Sequence, residues 1–128
     1  MSKKLLGLGL GLGGVAIILG AFASHGLTKH LTESQILTFE TGVRYQMYQA
    51  FFLILMSFVK ELNSKSKSVV LWLNVFGVLF FSGSIYGLST NTLSSFDFTK
   101  IALITPLGGS LLIFSWFYVL FIVFKNRK

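Results

Sequence analysis

Four apolar stretches, each about as long as the hydrocarbon core of a bilayer is thick, limit this chain to very few folds. The first, Leu5 to Ser24, holds 20 residues without a charge and reaches about 30 Å at the α-helical rise. A backbone that crosses lipid must satisfy its own amides, so such stretches predict helices. The others fall at 33–59, 69–88 and 101–124, and the fold class is all-α: an integral membrane four-helix bundle, one transmembrane domain over residues 1–128. A composition that is 53% hydrophobic and 12% charged sets the chain apart from soluble domains.

The basic residues fit that reading. A net charge of +7 is common among nucleic-acid binders, yet eight of the eleven Lys and Arg residues are Lys3, Lys4, Lys60, Lys65, Lys67, Lys125, Arg127 and Lys128. They flank apolar segments, as topology signals do, so no nucleic-acid partner is expected. Their distribution predicts cytoplasmic N- and C-termini in a multi-pass membrane protein. A cleavable leader is the competing reading of the first segment, because Ala21-Phe22-Ala23 follows a basic start. The length of the run and the three segments behind it favour a membrane helix. The absence of cysteine excludes disulfides and thiolate chemistry.

Within this frame the second segment stands out. Thr32-Glu33-Ser34-Gln35 reads as a capping box, and Phe39-Glu40-Thr41-Gly42-Val43-Arg44-Tyr45-Gln46-Met47-Tyr48-Gln49-Ala50 carries polar groups into an apolar run. A helix from 33 to 59 would be about 40 Å long, longer than the core, which places Glu40 and Arg44 at the membrane boundary or one turn inside and Gln49 near the midplane. On a helical wheel Glu40, Arg44, Tyr48 and Phe51 share one face, and Gly42, Gln46 and Gln49 lie roughly opposite. A helix polar on two sides needs neighbours on both, so a homo-oligomer is expected. The spacings Gly7/Gly11, Gly9/Gly13 and Gly83/Gly87 suit close helix approach, and Asn74, Gly77 and Ser84 share a stripe. Lys60 to Ser68 reads as a loop, and Thr105-Pro106 as a cap followed by proline in the first turn.

The predicted orientation gathers polar residues toward the outer half of the bundle. Candidate ligand-binding residues are His25, Glu40, Arg44, Tyr45, Tyr48, Gln49, Ser84, Tyr86 and Thr105. Glu40 and Arg44 have two readings, an i,i+4 ion pair or an arginine anchor for a lipid phosphate or carboxylate. His25 reads either as a turn residue or as a proton-handling group. His25, His30 and Glu33 make a poor metal cluster because their spacing crosses a turn. No catalytic residue, metal or cofactor is assigned. Three functions remain open: binding of a lipid headgroup, small amphiphile or partner helix; transport by a small oligomeric transporter or channel; and a membrane-embedded enzyme. The partners expected are membrane lipids and a second copy of the chain, with another membrane protein as a further candidate.

Four motifs carry a family resemblance. They are Gly20-Ala21-Phe22-Ala23-Ser24-His25-Gly26-Leu27, Phe39 to Tyr48, Phe81-Ser82-Gly83-Ser84-Ile85-Tyr86 and Ile104-Thr105-Pro106-Leu107-Gly108-Gly109. Together they resemble the domain-of-unknown-function family numbered 423, which includes a small eukaryotic transmembrane protein. The resemblance implies a small inner or plasma membrane protein of four helices and implies no activity. The sequence departs from the family pattern at Ala23-Ser24, where glycine-alanine is expected, and at Gln49, where histidine is common. Glutamine can hydrogen-bond there but cannot titrate.

Overall fold

The computed structural model describes residues 2–93 and 103–125. It contains four long helices: α1 (Lys3–His25), α2 (Glu33–Met56), α3 (Ser64–Ser89) and α4 (Ile104–Lys125). Each packs on the next in an up-down-up-down order. Among the described residues three stretches are long and apolar enough to cross a membrane, Lys3–Lys29, Ser64–Ser89 and Ile104–Lys125, at mean hydropathies of 2.2, 1.9 and 2.2. The sequence predicts four such spans, and α2 is not among the three. It has the length, about 36 Å at the helical rise, but its polar residues lower its hydropathy. What suits α2 to apolar surroundings is its packing alongside α1, from Gly9 against Ile54 to Gly20 against Val43.

The helix starts follow from side-chain caps. Ser2 accepts the Leu5 amide at 3.3 Å. The expected capping box is formed in full: Thr32 Oγ1 accepts the Gln35 amide at 3.1 Å and Gln35 Oε1 accepts the Thr32 amide at 2.8 Å. Asn63 accepts the Ser66 amide at 2.8 Å, which starts α3 at Ser64 instead of residue 69. Its first turn is polar, and an apolar-run criterion passes over it. Similarly, α2 stops at Met56 rather than residue 59, and the chain turns where the Ser57 hydroxyl donates to the Ile54 carbonyl at 2.6 Å. In α4 the helix already begins at Ile104, so Thr105 lies inside the first turn and is not its cap. Pro106 remains in that turn, where a missing amide proton costs nothing. The expected start at Ile101, with Asp97, Lys100, Arg127 and Lys128, lies outside the described residues.

Two apolar clusters close the two ends of the bundle. Near the start of α1, Leu5, Phe52, Leu53, Val70, Val119 and Ile122 bring all four helices together. At the other end Ala23, Leu27, Leu31 and Phe39 seal the α1–α2 turn. Small residues set the helix separations between them. A Cβ on Gly9 would lie 2.8 Å from the Ala50 carbonyl oxygen, and one on Gly108 would meet the backbone of Phe80 and Phe81. Gly7, Gly11 and Gly14 instead face open space. Of the two predicted α1 spacings, Gly9/Gly13 is used against α2, and a Cβ at Gly7 or Gly11 would meet nothing within 4 Å among the described residues.

Candidate functional site

The inner face of α2 builds a polar layer between the apolar ends. Gln46 donates to the Leu12 carbonyl of α1 at 2.9 Å and accepts the Tyr86 hydroxyl of α3 at 2.6 Å. The Tyr86 ring is held in turn against Phe39, with centroids 4.8 Å apart. One turn along α2 from Gln46, Gln49 donates to Asn74 Oδ1 at 2.6 Å and accepts the Trp116 indole N–H at 2.9 Å. Asn74 donates to the Val70 carbonyl and to Ser115 Oγ, each at 2.8 Å. Ser82 donates to the Gly42 carbonyl at 2.8 Å. Among the described residues no buried side-chain nitrogen or oxygen lacks a partner. The layer therefore links all four helices through amides, hydroxyls and an indole, groups that hold a bundle together in a low dielectric.

The outer face of α2 is different. Glu40 is half-buried, while Arg44, Tyr45 and Tyr48 are exposed. Among the described residues Arg44 and Glu40 form neither an ion pair nor a hydrogen bond with each other. Tyr45 stands edge-on to Tyr48 and to Phe81, both at 5.3 Å between centroids. Beside them a groove of about 520 Å³ runs between α2 and α4, with Thr41, Tyr45 and Gln49 on one wall and Gly109, Leu112 and Trp116 on the other. Because Val43 packs on Gly20, Arg44 sits at the depth of Gly20, about 7 Å short of the end of α1.

The sequence-derived candidates therefore divide. Gln49 and Tyr86 belong to the interior layer, Ser84 and Thr105 share a hydrogen bond between α3 and α4, and Glu40, Arg44, Tyr45 and Tyr48 lie on the lateral surface. His25 is exposed at the end of α1, apart from both groups. Gln46, Asn74, Ser115 and Trp116 complete the polar layer but are absent from the candidate set. Asn74 carries a signal, as an amide inside an apolar run. Ser115 carries none, since one serine in a membrane helix is unremarkable until a partner faces it.

Comparison with known proteins places the chain. A family model described as a protein of unknown function, DUF423, matches residues 19–109. The UPF0382 membrane protein YwdK of Bacillus subtilis is 37% identical, over 82% of this chain and 83% of the relative. A UPF0382 membrane protein of Haemophilus influenzae is 34% identical over 100% of this chain and 99% of its own length. One from Staphylococcus saprophyticus is 34% identical over 87% and 88%. No solved structure matches. With four helices, a hydrogen-bonded polar layer and relatives named as membrane proteins that align with it over most of its length, the chain belongs to the DUF423 family of small membrane proteins.

Proposed function

We propose that this is a non-enzymatic protein of the plasma membrane, with both termini cytoplasmic, that binds an anionic amphiphile at the lateral face of α2. The observation that carries the reading is Arg44: an exposed guanidinium, without a partner among the described residues, next in sequence to Tyr45 on the groove wall and inside the apolar length of α1. A charge at such depth ordinarily faces the bundle interior or a partner. A guanidinium offers a planar fork to phosphate or carboxylate, and Tyr45 and Trp116 supply the aromatic walls for an apolar tail. The neutral, hydrogen-bonded interior supports binding over turnover or conduction. The side chains bonded around Gln46 and Gln49 are neutral, and toward the chain ends the apolar cluster of Leu5, Phe52 and Val119 follows them.

A second reading of the same face is favoured by Glu40. Two copies meeting along α2 would bring Glu40 of each within reach of the other's Arg44, a self-complementary contact of the kind a two-fold interface requires. Native mass spectrometry from mild detergent separates the outcomes. The expected result is a lipid retained by the wild type and lost by Arg44→Gln, with Lys29→Ala retaining it. A dimer that falls apart in Arg44→Gln without loss of a lipid supports the second reading. A bare monomer in both proteins overturns both.

A further inference from the structure

We propose that a second site, independent of Arg44, binds a phosphate group at the opposite end of the bundle, either as the headgroup of an anionic phospholipid or as free phosphate. A cavity of about 550 Å³ lies there between the start of α1, the α2–α3 turn and the start of α3. Its charged lining residues are Lys4 and Lys67, with the hydroxyls of Ser64 and Ser68 between them and the leucines Leu62 and Leu71 beneath. Among the described residues no carboxylate lines it; Glu61, the acid of the adjoining turn, is not among its lining residues.

The donors there are available. Lys4 is exposed and has no partner among the described residues. Lys67 gives one proton to the Ser57 carbonyl at 3.1 Å, which fixes its ammonium at the rim and leaves two protons to donate. The other two polar lining residues are engaged, because Ser2 and Asn63 cap α1 and α3. What remains is two ammonium groups and two hydroxyls, a donor set that suits the several acceptor oxygens of a phosphate. The α1 and α3 helices both start at this rim, and the positive ends of their dipoles add to the same field. Beyond Leu71 the surface of α3 becomes continuously apolar, which is where the glycerol and acyl chains of a bound lipid would continue.

The test uses the full chain in nanodiscs of phosphatidylcholine doped with phosphatidylglycerol, followed by native mass spectrometry. The wild type should retain phosphatidylglycerol over phosphatidylcholine. A lysine beside an anionic headgroup contributes about 1 kcal/mol, so Lys4→Gln should lower that retention about fivefold, and Lys4→Gln with Lys67→Gln should nearly abolish it. Lys125→Gln, at the same end but outside the cavity, should leave it unchanged. Arg44→Gln removes at most the lipid of the lateral face, so a phosphatidylglycerol that survives in Arg44→Gln and is lost in Lys4→Gln separates this site from the lateral one. If the double variant fails to fold because the Ser57 contact is lost, Lys67→Arg with Lys4→Gln keeps that charge and should show only the fivefold loss. A phosphate adduct on lipid-free protein, lost in Lys4→Gln, would identify free phosphate as the occupant. Equal retention of the two lipids with no such adduct would overturn the proposal, as would an equal loss in Lys125→Gln.

Discussion

The two faces of α2 solve opposite problems with similar residues. On one, Gln46 and Gln49 enter an apolar interior and find a partner for each side-chain nitrogen and oxygen on three neighbouring helices. On the other, Arg44 and Glu40 remain unpaired with each other on an exposed surface. A polar residue in a membrane helix therefore marks function only where the fold leaves it unsatisfied. The inner face is structural by this criterion, and the outer face is where a ligand or partner has something to contribute.

Five substitutions test that contrast, read as unfolding free energies in mild detergent. The largest effect is expected at Gly42→Val, since a Cβ there already lies 2.7 Å from the Tyr86 ring. Tyr86 is held by Gln46 and cannot swing aside, so a loss of about 3 kcal/mol is expected, at the upper end for overpacking. Asn74→Ala should cost about 2 kcal/mol, because it strands the Gln49 amide and Ser115 together. Adding Gln49→Leu should then cost less than it does in the wild type, since the two residues form one network. Gln46→Leu takes the amide acceptor from the Tyr86 hydroxyl, which keeps Ser82 as a neighbour, while the Leu12 carbonyl keeps its place in α1; about 1 kcal/mol is expected. Arg44→Gln should change stability by less than about 0.5 kcal/mol, as surface replacements do. A loss of several kcal/mol at Arg44 would erase the distinction between the faces.

Much of this arrangement is legible in the sequence, for a physical reason. Spans and caps are local: a run of apolar residues reports its own length, and Thr32 with Gln35 reports a helix start without reference to the rest of the chain. The helical wheel also separates Glu40, Arg44 and Tyr48 from Gly42, Gln46 and Gln49, as the structure does. Cross-helix partners are not legible. Whether Gln49 meets Asn74 and Trp116 depends on the register of three helices, and that register is set by close contacts such as Gly9 on Ala50 and Gly108 on Phe80. The start of α3 escapes a sequence reading because Asn63 caps a polar turn that hydropathy takes for loop. Sequence groups the candidate residues in one outer pocket because depth can be counted along a chain, while the direction in which a side chain points around the bundle cannot.

The buried Ser57 has a consequence for how the protein is made. Its carbonyl receives the Ser2 amide at 3.0 Å and the Lys67 ammonium at 3.1 Å, so a single oxygen ties the start of α1 to the end of α2 and the first turn of α3. During synthesis α1 leaves the ribosome before Ser57 does. The first helix thus enters the bilayer before this tie can form, and the contact is made only when the following hairpin arrives. A tag fused ahead of Ser2 would disturb this late locking step and leave insertion itself untouched.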